Sequence, residues 1–185
     1  MTLLGTLLRN RRAGEVHVAW NQPQLQGPEL LSVTSRQFVE GGTIPLEHCG
    51  RMIGGTNQSP QLAWSPPPAG TAQLLLVVED TDVPTSKPAV HCLALIDPAV
   101  EQLDPGALAA KQPAAGVRIC RSTIGRGYQG PGPIKGHGPH HYTFQLFALG
   151  GVVDAEAVGA RPRALLAALD APVLARGRLI GVYER

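Results

Sequence analysis

Residues 74–78 read Leu-Leu-Leu-Val-Val. A run this apolar, with no polar break, fits a strand buried on both faces better than one with a wet side. It follows Ser65-Pro66-Pro67-Pro68-Ala69-Gly70, which cannot hold regular structure, and it ends in Glu79, Asp80 and Asp82. A chain built around such a strand must supply a layer to each of its faces. It must also find partners for the acids at one end.

The remaining signals are mostly strands. "VHCLALIDP" begins near His91 and stops at Pro98, and "AGVRICRSTIG" is a third, weaker strand. "LLSVTSRQF" alternates weakly, residues 142–149 alternate after a Gly/Pro loop, and "GRLIGVYER" reads as a closing strand. In "RPRALLAALD" Pro162 stands in a first-turn position ahead of good helix formers. The expected class is therefore all-β, with a few short peripheral helices. At 185 residues one domain is expected over 31–185, with residues 1–30 as a helical arm and linker. Leu3, Leu4, Leu7 and Leu8 form a helical stripe, which suits either a helix laid on its own domain or the arm of a homodimer. The two prolines of "AWNQPQLQGPE" suggest an extended linker behind it.

Charge narrows the function. Only 16% of residues are charged and the formal net charge is +2, with one dense basic run at Arg9, Arg11 and Arg12, so a nucleic-acid partner is not expected. Cys49, Cys92 and Cys120 are odd in number and form no CxxC pair, which speaks against a disulfide framework; Cys92 and Cys120 suit buried thiols. No apolar stretch approaches the roughly 18 residues of a transmembrane segment. The N-terminal apolar run precedes its arginines, the reverse of a signal peptide, so a cytoplasmic location is expected.

Three of the six histidines, His137, His140 and His141, gather where the loop "GPGPIKGHGP" becomes a strand. If strands 74–79 and 90–96 pair antiparallel across the intervening loop, Asp80, Asp82 and His91 meet at one sheet edge. A strand entering there at residue 140 adds His140 and Tyr142 on one face, with His141 on the other. A metal held by His91, His140 and Asp80 has the right donors but no supporting ligand spacing, so neither metal nor cofactor is expected. No G-x-S-x-G is present, and Gly125–Gly130 matches G-x-G-x-x-G without the helix that motif requires. A small anionic ligand, phosphate or a phosphorylated headgroup, suits protonated imidazoles, a tyrosine hydroxyl and the backbone of loop 130–138. The aspartates would hold those imidazoles protonated. The alternative is an enzyme using Asp80 and His91 as an acid–base pair.

At these residues the chain resembles the phosphatidylethanolamine-binding protein (PEBP) family, in its bacterial Raf-kinase-inhibitor-like branch. The family's D-P-D-x-P followed by histidine appears as Asp80-Thr81-Asp82-Val83-Pro84 and His91, and its G-x-H-R-Y as Gly138-Pro139-His140-His141-Tyr142. The resemblance runs from about Ser32 to the C-terminus. It implies an antiparallel β-sandwich with an anion pocket formed by Asp80, Asp82, His91, Gly132, Pro133, His140 and Tyr142. Members of the family are linked to phospholipid headgroups, to kinase regulation and to protease inhibition, so the resemblance does not fix a role; a non-catalytic binding protein, with a kinase or protease as a candidate partner, is the leading expectation. Three positions depart from the motifs. Thr81 replaces a proline, which should loosen the aspartate loop. His141 replaces an arginine, which should make its ion pair pH-dependent. Cys92 replaces a tryptophan frequent in bacterial members, which should make the pocket wall smaller.

Overall fold

The computed structural model describes residues 3–154 and 159–185, apart from the side chain of Leu4. Among these the strands are β1 (Val33–Thr34), β2 (Leu62–Trp64), β3 (Gln73–Asp80), β4 (Ala89–Ile96), β5 (Gln102–Leu103), β6 (Val117–Ile119), β7 (His140–Leu149) and β8 (Val173–Tyr183). Two short helices, α1 (Leu3–Leu8) and α2 (Pro162–Ala167), lie outside them. The strands form a three-stranded sheet, β1-β2-β5, and a five-stranded sheet, β6-β4-β3-β7-β8, with antiparallel neighbours in both. The all-β expectation describes this architecture.

The apolar run occupies the central strand, β3, and its two faces feed two cores. Leu74, Leu76 and Val78 pack toward Leu62, Trp64 and Leu103 of the small sheet. Leu75 and Val77 pack instead with Val18, Trp20, Leu25, Leu165 and Leu166. The second core corrects the reading of residues 1–30 as an arm and extended linker. Residues 19–21 and 23–25 are short 3-10 turns covering the sheet, and Trp20 and Leu25 are buried. The Arg176 guanidinium sits 4.0 Å over the Trp20 ring, and its Nη1–H donates to the Trp20 carbonyl at 2.8 Å. Prolines in this stretch mark turns rather than a free tether. Helix α1 likewise lies on its own chain: a Cβ on Gly5 would come within 2.2 Å of the Lys135 carbonyl. Leu3 and Leu7 stay exposed, and they alone carry what remains of the dimer expectation among the described side chains.

Register brings the polar residues together. Asp80 pairs directly with Tyr142 across β3 and β7, as Val78 does with Phe144 two residues earlier. On the other side Val78 opposes Cys92 while Glu79 opposes Val90, so His91 is an extra residue in β4. That bulge changes the alternation. Val90 and Leu93 face the second core, whereas His91 turns to the Tyr142 side, its ring edge-on at 5.2 Å. Without the bulge, the alternation running back from Leu93 would carry His91 to the opposite face.

Close backbone approach fixes one glycine of β8. A Cβ on Gly177 would lie 2.1 Å from the Leu31 carbonyl oxygen, a backbone atom held by the Leu31 N–H bond to Arg176. Gly177→Ala should therefore destabilise the fold by about 1–3 kcal/mol, read by urea denaturation. An unchanged midpoint would show that this contact relaxes freely.

Candidate functional site

A cavity of about 1020 Å³ opens at the edge where β3, β4 and β7 meet. Asp80, His91, Gly132, Pro133, His140 and Tyr142 line it, so six of the seven residues expected from sequence share one wall. Asp82 is the exception and is not part of the lining. Its Oδ2 accepts the His141 N–H at 2.7 Å and the His141 Nδ1–H at 2.8 Å, and its Oδ1 pairs with Arg12. Burial pushes the Asp82 carboxyl up, but the His141 N–H, the His141 ring and Arg12 together hold it below the usual carboxylate range.

The departures from the family motifs thus read differently in three dimensions. His141 does pair with Asp82, yet a permanent cation is present as well, from Arg12 in the N-terminal segment. Thr81 does not leave the aspartate loop loose. Its carbonyl accepts the Gly14 N–H, the Val83 carbonyl accepts the Ala13 N–H, and Arg12 also reaches the Pro139 carbonyl at 2.9 Å. Cys92 lies in the core between the sheets and not on the cavity wall.

Asp80 is 2% exposed and uses both carboxylate oxygens. Oδ1 accepts the Asp82 N–H at 2.8 Å, closing the loop, and Oδ2 meets His140 Nδ1 at 2.8 Å. His140 Nε2 in turn meets His137 Nδ1 at 2.7 Å. Both ring nitrogens of His140 are therefore occupied within the protein. The expectation that His140 donates to a ligand is corrected: it presents only its ring to the cavity.

His91 donates Nδ1–H to the Gln129 carbonyl at 2.6 Å, which leaves Nε2 facing Asp80 Oδ2 across 3.9 Å. That gap is beyond hydrogen-bonding reach, so no oriented acid–base pair is formed. Burial is the largest influence on His91 and lowers its pKa, outweighing the opposing pull of Asp80. Against the expectation that aspartate keeps this ring protonated, burial shifts the balance of His91 toward its neutral form.

Tyr142 is 1% exposed, and its hydroxyl has no hydrogen-bond partner of normal geometry among the described residues. Burial first, then the charge of Asp80 and the close approach of its carboxyl group to the hydroxyl, raise its pKa well above the ordinary phenol value, while the nearby Gly132 N–H works the other way. The group is a proton donor at any ordinary pH. A Cβ on Gly132 would meet nothing within 4 Å, so the cavity has open space at Gly132. Arg51, Lys111, Arg126 and Arg185 reach the same cavity from separate loops. All four are exposed, so the cavity carries basic side chains on its solvent side. None of the four was singled out from sequence, because nothing local marks which loops meet at the cavity. His137 and Arg12 had visible signals, the histidine cluster and the basic run, but their partners were not readable. Among the described residues no group of three His, Cys, Asp or Glu side chains is arranged to hold a metal ion.

Two antiparallel sheets with a cavity at the edge where β3, β4 and β7 meet define the chain as a mainly β protein. The family profile described as "Phosphatidylethanolamine-binding protein" matches residues 34–184, and the chain belongs to that family. It is 32% identical over 165 residues to a UPF0098 protein of Mycobacterium tuberculosis, covering 89% of this chain and 75% of that one. It is similar to the crystal structure of Escherichia coli YbcL, titled a new member of the mammalian PEBP family. That match has TM-score 0.73 and 29% identity, with 84% of this chain and 98% of that chain covered. A Chlamydia trachomatis PEBP homologue, CT736, matches at TM-score 0.70 and 27% identity over 84% and 97% of the two chains. Another relative, 33% identical over 159 residues (84% of this chain, 73% of that one), is a M. tuberculosis protein named "Putative lipoprotein LppC". A cytoplasmic location therefore does not follow from kinship. Among the described residues no helix is long and apolar enough to cross a membrane.

Proposed function

We propose that the chain is a non-catalytic binding protein whose cavity takes a small oxyanion, phosphate or a phosphorylated headgroup. The observation that carries this reading is Tyr142 on the cavity wall, whose buried hydroxyl lies near Asp80 and Gly132 without a hydrogen bond of normal geometry to either. A buried donor without an acceptor is costly, and a ligand oxygen would satisfy it. The open face of Gly132 gives that oxygen room, and the four basic side chains at the rim attract a negative charge. A kinase or protease partner, which some members of the family have, would be met at the same rim.

Tyr142→Phe separates function from folding. Removing an unsatisfied hydroxyl should leave the ligand-free protein equally stable or more stable by about 1 kcal/mol. The same change should weaken binding of inorganic phosphate or phosphoethanolamine roughly ten- to hundredfold, the value of a hydrogen bond to a charged group. Calorimetric titration with a thermal melt on each protein checks both. Equal phosphate affinity in the two proteins would remove Tyr142 from the site.

A further inference from the structure

A line of hydrogen bonds runs from the cavity wall to the N-terminal segment. It passes from Asp80 Oδ2 to His140 Nδ1, from His140 Nε2 to His137 Nδ1, and from His137 Nε2 to the carbonyls of Leu8 (2.8 Å) and Arg11 (3.1 Å). His137 is fully buried and His140 is 2% exposed, so water does not intervene as an alternative partner.

Proton counting on this line gives a definite result. Carbonyl oxygens only accept, so His137 Nε2 carries a proton. Two nitrogen lone pairs cannot face each other at 2.7 Å, so one proton lies between His137 and His140. A carboxylate and a nitrogen lone pair cannot do so at 2.8 Å, so a further proton lies between His140 and Asp80. Whether this last proton sits on nitrogen or oxygen leaves the total at three. Two neutral imidazoles and a carboxylate would hold only two. The line thus carries one proton more, and the charge of Asp80 is cancelled within the protein.

We propose that His137 is a positioning residue that makes the cavity fit for anions, by holding this extra proton against His140 and so neutralising Asp80. The proposal rests on the anion-binding reading, and it explains why a carboxylate can stand in the wall of an anion site. The N-terminal segment enforces it through the Leu8 and Arg11 carbonyls, which fix the His137 tautomer, while Arg12 neutralises the neighbouring Asp82. Leu8 ends helix α1; its carbonyl accepts the Arg11 N–H at 2.8 Å and has a second lone pair for His137. The other charged or titratable groups around the line are Tyr142, beside Asp80 and stacked on His140; His91, 3.9 Å from Asp80; the His141–Asp82–Arg12 cluster; and Arg9 at the Gly136 carbonyl. None of them stands between His137 Nδ1 and His140 Nε2.

The test uses the full chain and two readouts. Nitrogen-15 NMR of the imidazoles should show a proton shared between His137 Nδ1 and His140 Nε2, together with a protonated His137 Nε2. Absence of the shared proton overturns the proposal. His137→Asn keeps a side-chain donor for His140 but cannot hold the extra proton, so Asp80 regains its charge. That variant should bind inorganic phosphate roughly ten- to hundredfold more weakly at neutral pH, measured where a thermal melt shows both proteins folded. Wild-type affinity in a folded variant also overturns it. Should the variant not fold, or should the wild-type chain not bind phosphate, the NMR result alone decides whether the shared proton exists. Loss of wild-type phosphate binding counts against the anion reading itself.

Discussion

Arg163→Ala should destabilise the fold by about 3–4 kcal/mol at neutral pH, the scale for leaving a buried charge without its partner. The charge is Glu79, which is fully buried on the face of β3 opposite the cavity. Arg163 Nη2 lies 2.6 Å from Glu79 Oε1, and Glu79 Oε2 accepts the Ala19 N–H at 2.7 Å and the Gln145 amide at 2.8 Å. Arg163 also donates to the His17 and Pro88 carbonyls, so one side chain joins the N-terminal cover, α2 and the loop before β4. Burial is the largest influence on Glu79 and raises its pKa, with Arg163 the strongest opposing one. A carboxyl raised on folding binds its proton more tightly in the native state. Its contribution to stability is full below the unfolded-state value and is lost as pH rises through the folded value. Removing Arg163 lifts that folded value further. The deficit of the variant should thus be largest at neutral pH and shrink on mild acidification, as Glu79 takes up a proton. Urea denaturation at two pH values checks it, and a deficit that grows in acid would reverse the assignment.

Asp80→Asn is the second large effect. Both oxygens of Asp80 act as acceptors, one for the Asp82 N–H and one for the His140 ring. An amide has one acceptor oxygen, so its NH₂ must be set against one of two buried donors. The expected loss is about 2–4 kcal/mol in the absence of ligand, combining an unsatisfied buried donor with a lost charge-assisted bond. Its direct cross-strand neighbour behaves oppositely, since Tyr142→Phe costs nothing. Two conservative changes at one register position should therefore move the denaturation midpoint in different directions. Equal midpoints for Asp80→Asn and wild type would mean that the carboxylate is not what holds this loop.

The sequence carried much of this layout. Leu74–Val78 announced a strand buried on both faces because nothing polar interrupts it, and it is the central strand of the larger sheet. The period-2 alternation put His140 and Tyr142 on one side and His141 on the other, as the register of β7 has it. What sequence order could not supply were contacts decided by distant backbone. The bulge at His91 depends on how β3 and β4 slip past each other, and alternation alone hides it. His140 looks like a free donor until the third dimension brings His137 against it, because the two are joined by a turn whose path no local rule fixes. The residues 19–25 read as linker because Gln and Pro are poor in apolar signal, yet Trp20 and Leu25 suffice to seat them on the sheet. Arg12 stood out only as part of a basic run, and its partner Asp82 lies 70 positions away.

The central claim is that the Asp80 end of the cavity receives an oxyanion at Tyr142 and Gly132. Its most direct measurement is a titration of the isotope-labelled chain with inorganic phosphate, followed residue by residue by NMR. The account predicts saturable shifts centred on Gly132, Tyr142 and the ring of His91, with smaller ones at Arg51 and Arg126. A response confined to the basic rim, or none at millimolar phosphate, would contradict it.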